Sequence, residues 1–487
     1  MSARFGYIQE LVLILAQFSH SQTRVALLLT CRKFFHPVII ELIWSSVKGA
    51  ENLLSLIEGT EAEKNDKSIS IEFPDVFSDA SLSRLKLYAP YVKFLEIFGH
   101  NHYDYDLVNW EDLLEYSEFT PLLPNLTQLT LTNYWWFNYT QNPQLPWLLL
   151  FASPSLLEYR VVRDLRQKHP VITAPRAEAV LTVLQRRCPK LNTLELFSGP
   201  GIVHKDEEPL LPSQCNRSAI FKVMPLRALS TTLTMLREIG DMHTITQLQR
   251  LKVHYSHSSN NFAPLSTPDL EWPNLRHLSF YSVHCVESLS RLWDVDGLVR
   301  NLTSVSLCLR DRCFEDDHAL RPQLENLAKM LAQGSPHLDC LYLRRRGKYG
   351  SLENPGVLAA ILSHIELKEL HVTSGKCTKA VKLRQILHGR TFDCIRRLEL
   401  RKYQIDLSGL LYYAQSMPNL QYLRIQIRVP KGDRSKLSVT TPPDPSRFKL
   451  YVANADFEGA ELAATWEYAS RYASVMHRTY RRSLSDI

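Results

Sequence analysis

The chain has 487 residues, with 57 Lys and Arg against 50 Asp and Glu, giving a formal net charge of +7. Its 45% apolar and 22% charged residues are those of a globular protein, which excludes a disordered or collagen-like chain. So mild and dispersed a positive excess does not by itself point to nucleic acid. At roughly 100–200 residues per domain the length suggests three domains, unless repeats make one long body.

In chain order, the first segment carries one helical stripe, Tyr7, Leu11, Ile14, Leu15 and Phe18, broken by Ser19-His20-Ser21. Ser21 can cap a second short helix from Gln22 to Leu29. Thr30-Cys31-Arg32-Lys33-Phe34-Phe35, Pro37 and Val38 to Trp44 follow. So small a unit cannot hide that many apolar side chains by itself. The apolar run Leu11–Ala16 is too short for a secretory core, and no stretch reaches the length needed to span a bilayer. Cysteines at 31, 188, 215, 285, 308, 313, 340, 377 and 394 show no C-x2-C spacing. They read as buried thiols of a reducing compartment, cytoplasmic or nuclear.

Beyond the first segment the pattern L-x-x-L-x-L recurs. Clear copies begin at Leu126, Leu191, Leu248, Leu275, Leu302, Leu338, Leu367, Ile395 and Leu420, weaker ones at Val92 and Leu156. The widest gap, from 191 to 248, has room for a degenerate unit around Ile220–Leu229. In x-L-x-L-x the two leucines point to one side of a short strand, and the earlier Leu packs inward from the turn. Helical spacings lie between the motifs at 179–184, 324–331, 357–362 and 407–414. Gly334 with Pro336, and Pro418, read as helix stops, Gly through a left-handed cap.

Strand, helix and strand in the same sense give an α/β fold, parallel strands on a concave face and helices on the convex face. This is similar to a leucine-rich repeat horseshoe of about 11–13 irregular units. The expected domains are a helical module at 1–48, the repeats at 49–428, and a linker with a C-terminal capping helix and basic tail at 429–487. The helix is read from Leu462, Trp466, Tyr468, Tyr472 and Val475.

No P-loop, dinucleotide fingerprint, His-Glu-x-x-His or Gly-x-Ser-x-Gly motif occurs, so no catalytic residue and no cofactor is assigned. The run His100-Asn101-His102-Tyr103-Asp104-Tyr105-Asp106 follows a strand and reads as a loop. A metal-dependent hydrolase built on it would need its ligands to converge on rigid elements, and a solvated polar loop is the simpler reading. Asn133-Tyr134-Trp135-Trp136-Phe137 offers either a binding hot spot or packing beneath a loop.

The concave face is the better candidate. Strand residues flanking the buried leucines include Arg250, Lys252, His254, His277, Tyr281, Tyr342, Arg344, Arg397, Arg401, Tyr422 and Arg424. Only Glu369 and Glu399 oppose them in the same register. Such a surface can hold an acidic or phosphorylated protein segment, or simply keep the sheet solvated. Arg344-Arg345-Arg346 has little aromatic interleaving beyond Tyr342 and Tyr349, which argues against a nucleic-acid site.

Residues Glu10-Leu11, Leu15 and Phe18, then Leu29-Thr30-Cys31-Arg32-Lys33-Phe34, then Leu42-Ile43-Trp44-Ser45-Ser46-Val47 together resemble an F-box. Phe5-Gly6-Tyr7-Ile8 stands where that family opens with Leu-Pro. The resemblance is to F-box proteins with C-terminal leucine-rich repeats, the substrate receptors of SCF-type ubiquitin ligases. It implies that Leu11, Leu15, Phe18, Leu28, Cys31, Phe34, Leu42 and Trp44 build the module and its surface for a Skp-type adaptor. A cullin would follow through that adaptor, and the repeats would hold the target. The alternative is a repeat scaffold without a ubiquitin role, its N-terminal helices serving only as a cap.

Overall fold

The computed structural model describes residues 42–65, 68–98, 104–133, 144–163, 172–197, 217–233, 245–254, 272–283, 296–310, 317–346, 355–373, 391–406, 416–428, 449–452 and 474–477, with Phe18, Ser19, Thr23, Met235, Leu236, Leu289, Ser290 and Trp293. They fall in two compact units, Met1–Gln247 and Leu248–Ile487. Both are leucine-rich repeat solenoids of parallel strands with helices between them, the α/β class the motif implies.

Most motif copies make the same two backbone connections. The N–H of the first Leu closes a short turn on the carbonyl three residues earlier, as in Leu156 to Ser153 (3.0 Å) and Leu338 to Ser335 (3.1 Å). That turn carries the Leu side chain inward. One carbonyl just before each strand then accepts two N–H groups from the next repeat. Thr303 O accepts Asp339 N and Cys340 N, both at 3.0 Å, and Asp339 O accepts Lys368 N (2.8 Å) and Glu369 N (3.0 Å). In two of the Pro-Asn-Leu copies the Asn amide reaches back as well: Asn125 Nδ2 donates to Pro90 O and Asn419 Nδ2 to Asp393 O, each at 2.8 Å.

In the first unit β1 (Ser46–Lys48), β4 (Phe94–Glu96), β6 (Gln128–Asn133), β7 (Glu158–Arg163), β8 (Thr193–Glu195) and β9 (Ala228–Thr232) pair in parallel in that order. Val47, Leu95, Leu129, Tyr159, Leu194 and Leu229 share one register row and are all buried. The wide gap between motifs holds the degenerate unit, a helix over Arg217–Val223 followed by β9. The helix Ala174–Arg187 buries Ala177, Val180, Leu181 and Leu184, the one-face spacing of an amphipathic helix.

The solenoid begins earlier than expected. Ser45 O accepts Lys93 N and Phe94 N, the same double connection that Lys93 O and Thr127 O make to the repeats after them, and Val47 lies opposite Leu95. Residues 46–48 therefore belong to the repeats and not to the N-terminal module. A second difference lies at 104–108, where β5 (Asp104–Val108) stands instead of the tail of a loop. It pairs in parallel with β3 (Ser68–Glu72), which pairs antiparallel with β2 (Glu61–Lys64). The alternation Asp104-Tyr105-Asp106-Leu107 has the period of a strand. Tyr105 packs edge-on against Trp147 (5.3 Å between ring centroids) and donates its hydroxyl hydrogen bond to Glu51.

In the second unit nine strands run parallel among the described residues: β10 (Arg250–His254), β11 (His277–Val283), β12 (Ser304–Arg310), β13 (Cys340–Arg346), β14 (Glu369–Thr373), β15 (Arg397–Asp406), β16 (Tyr422–Arg428), β17 (Lys449–Val452) and β18 (Ser474–His477). The row Leu251, Leu278, Val305, Leu341, Leu370, Leu398 and Leu423 is buried throughout. The last two strands correct the expected C-terminal organisation. Repeats do not stop at 428, and Ser474–His477 is a strand on β17 rather than part of a capping helix. Leu450 continues the Leu423 row and Val475 continues it again, so Val475 obeys the period of two that the helical stripe had claimed. The helical spacing at 407–414 lies outside the described residues.

Helix Asp317–Gly334 ends at its glycine, but not through a left-handed cap, since Gly334 has no positive φ. Its lack of a side chain serves packing. A Cβ there would meet Trp293 Cδ1 at 2.7 Å and Val299 Cγ2 at 3.3 Å. Trp293 is fixed by donating from Nε1 to Ser335 Oγ (3.2 Å), which donates to Val299 O (2.9 Å). Gly334→Ala should therefore destabilise the protein by about 1–3 kcal/mol, the range for an overpacked core. A lowered thermal midpoint in circular dichroism checks it; an unchanged midpoint refutes this role for Gly334.

Candidate functional site

Parallel pairing sorts the outward-facing residues of the second unit into three rows. The first reads Arg250, His277, Ser304, Cys340, Glu369, Arg397, Tyr422. The second reads Lys252, Ser279, Ser306, Tyr342, His371, Glu399, Arg424, and the third His254, Tyr281, Cys308, Arg344, Thr373, Arg401. Every residue that the sequence placed on the concave face thus has its expected register, though Arg401's side chain lies outside the described residues. Adjacent strands lie ~4.8 Å apart, so neighbours in a row touch.

They touch in pairs. Tyr342 stacks on His371 at 4.3 Å and His254 on Tyr281 at 4.6 Å between centroids. The Arg397 guanidinium carbon lies 4.5 Å from the Tyr422 ring centre.

Glu399 is the hub, and its burial is what the sequence did not reveal. Its side chain is 4% exposed and accepts a 2.7 Å hydrogen bond from Arg397 Nη2. His371 Nδ1 lies 3.5 Å from it and Arg424 Nη1 4.0 Å. His371 Nε2 faces Glu369 Oε2 at 3.4 Å on its other side. The Glu399 hydrogen bond holds the Arg397 guanidinium above its ordinary value. A register shift in β15 between Glu399 and Gln404 sits directly beside this cluster.

A cavity of about 390 Å³ opens on the same face. Tyr281, Tyr342 and Arg344 stand around it, with Ser306 and Cys308 of β12 and Thr373 of β14 among its shorter linings. No sequence motif marks it. The signal was available only by aligning repeats, since β12 has Ser306 where β13 carries Tyr342, and Cys308 where β11 and β13 carry Tyr281 and Arg344.

The face of the first unit is different. Its rows hold two basic residues, Lys48 and Arg160, against Glu96, Glu158 and Glu195. Lys48 pairs with Glu96 at 3.7 Å and Arg160 with Glu158 at 2.6 Å. Thr130, Thr193 and Ser230 supply short side chains beside them.

Of the residues assigned to adaptor binding, Leu11, Leu15, Leu28, Cys31 and Phe34 lie outside the described residues. Phe18 is 87% exposed. Leu42 and Trp44 are half-buried, and Trp44 stacks on Tyr88 at 4.7 Å, so it packs against the repeats. His100 and His102 are not described, and Asp106 is exposed on β5. Among the described residues no three His, Cys, Asp or Glu side chains gather as a metal site, and no helix is long and apolar enough to cross a membrane. The thiols are not uniformly buried, for Cys394 is exposed. Burial pushes the Cys188 thiol up to about 12 and the Cys340 thiol up to about 11, the reverse of an activated nucleophile.

No family model matches the chain, and no curated protein matches it. Among solved structures it is similar to one described as the Rad7 and Elc1 complex in yeast. That match has 12% identity and a TM-score of 0.31, covering 77% of this chain and 81% of the other. A likeness of that size fixes neither fold nor role.

His277 generates a pH prediction. Burial first, then the Arg250 and Arg276 guanidinium groups, hold it below the ordinary 6.5. As pH falls through that value the unfolded chain takes up the proton before the folded one, so stability present above it declines. His277→Gln should show a shallower loss of thermal midpoint between about pH 7 and pH 5 than the parent protein. Parallel curves for the two proteins would refute it.

Proposed function

We propose that the protein is a non-catalytic receptor that holds a target protein on the open sheet face of its second unit. One observation carries this reading. From β10 to β16 the three rows of that face hold six basic residues, Arg250, Lys252, Arg344, Arg397, Arg401 and Arg424, against Glu369 and Glu399, whereas the first unit's charges pair off among themselves. Sheets need polar faces only to stay solvated. A cationic surfeit interleaved with stacked aromatic rings suits acidic protein segments, because guanidinium groups pair with their oxygens and rings supply rigid contact area.

The N-terminal segment gives the receptor its place. Its resemblance to an F-box supports docking of a Skp-type adaptor, and through it a cullin, which makes the protein a substrate-recognition subunit of an SCF-type ubiquitin ligase in the cytoplasm or nucleus. Holding the target beside the transfer machinery would raise its effective concentration there. The exposed Phe18 supports an apolar handle. A second reading has an observation of its own: Trp44 stacks on Tyr88, so the segment's end serves as a cap on the repeats of a scaffold with no ubiquitin role.

A truncation lacking residues 1–41 separates the two, because it keeps both Trp44 and β1. The receptor reading expects the truncated protein to fold with an unchanged thermal midpoint and to lose capture by a purified Skp-type adaptor. Leu15→Asp with Phe34→Asp in the full chain should lower that capture about tenfold or more. Aggregation of the truncated protein favours the cap. Folded full-length protein that does not bind the adaptor removes the ligase role and leaves the scaffold.

A further inference from the structure

We infer that the cavity over β12 is a seat for one anionic side chain of the bound protein segment, with Arg344 as its anchoring cation. The inference deepens the reading of this face as a target surface and is independent of the adaptor.

The cavity exists because of two small residues in one strand. Neighbouring face positions carry Tyr281 on β11 and Tyr342 and Arg344 on β13, while β12 between them offers Ser306 and Cys308. Strand spacing puts β11 and β13 about 9.6 Å apart, so their long side chains flank a trough one strand wide. Ser306 is partly exposed and Cys308 is buried at 3%. A side chain entering from outside therefore meets Ser306, with Cys308 covered beside it.

The cations around it are not equivalent. Arg397 already donates to Glu399 and stacks on Tyr422, and Arg424 also faces Glu399. Arg344 is exposed and makes no ion pair or hydrogen bond among the described residues. Arg397 adds a second feature. Its Nε is buried without a hydrogen-bond partner, a donor left unused at the cavity's edge. With Arg344 and Arg397 against Glu399, the lining is positive, and oxygen acceptors are the chemistry missing from it. Phosphoryl and carboxylate groups both supply them.

Glu399 then has a definite part. It occupies the guanidinium that an incoming anion would otherwise use, so it competes with the ligand and positions Arg397. Removing its charge should free that cation without touching the trough.

The test uses the full chain and calorimetric titration with the N-acetyl amides of phosphoserine, phosphotyrosine and glutamate. Binding by the phosphorylated probes alone assigns a phosphoryl ligand, and binding by the glutamate probe assigns a carboxylate. Arg344→Ala should weaken binding about tenfold, the scale of one charge-assisted contact. Ser306→Trp, which fills the trough, should abolish it. Glu399→Gln should strengthen it several-fold. Arg250→Ala, three strands from β13, should leave it unchanged. Parent-like thermal midpoints establish folding, and Arg344→Ala and Ser306→Trp keep the test decisive if Glu399→Gln does not fold. Binding of no probe overturns the inference, as does an equal loss in Arg344→Ala and Arg250→Ala, which would mean diffuse attraction. Neither result touches adaptor capture.

Discussion

A single carbonyl per repeat, accepting two N–H groups from the repeat that follows, holds each solenoid in register. Ser45, Lys93, Thr127, Leu157 and Asn192 play this part in the first unit; Gln249, Arg276, Thr303, Asp339, Lys368 and Arg396 do so in the second. Because the acceptor always stands just before the strand, successive strands start level. Side chains then fall into straight rows: one row of leucines inward, and rows of whatever the sequence supplies outward. A slip of one residue would expose Leu278 and bury His277, so the buried row itself enforces the register.

That regularity explains how much was legible. The motif leucines are core residues in every described copy, and the helices at 174–187, 317–334 and 355–364 cover the spacings read from the sequence. Where the pattern had only one voice the reading was weaker. Ser46–Lys48 is too short to show alternation, and only its pairing with Phe94–Glu96 marks it as a strand. At 104–108 the polar residues drew attention to chemistry, while Tyr105 and Leu107 carried the structural period. Val475 satisfies a helical and an extended spacing at once, and pairing with Leu450 decides between them.

The face was legible in a different measure. Register fixes which residues lie on it, so Arg250 through Arg424 could be read from position alone. Burial could not, because Glu399 sits between Leu398 and Leu400 like any other face residue. What removes it from solvent is Arg397 on its own strand together with neighbours from other repeats, His371 from β14 and Arg424 from β16. The trough is equally a property of three repeats together. Ser306 and Cys308 are unremarkable until Tyr342 from one neighbouring repeat and Tyr281 from the other stand beside them.

Charge spacing completes the physical picture. The six cations on β10, β13, β15 and β16 would repel one another by amounts that rise as water is excluded, most of all on the neighbouring strands β15 and β16, which carry three of them. Glu369 and Glu399 relieve this at the crowded end, where β14, β15 and β16 meet, and several donors surround the buried Glu399 carboxyl group. The relief is local. It consumes Arg397 and Arg424 as structural partners and leaves Arg344, one strand further on, facing a cavity whose walls are aromatic. Net charge on the face thus overstates the number of cations open to a ligand, and the fold itself decides which of them remains free.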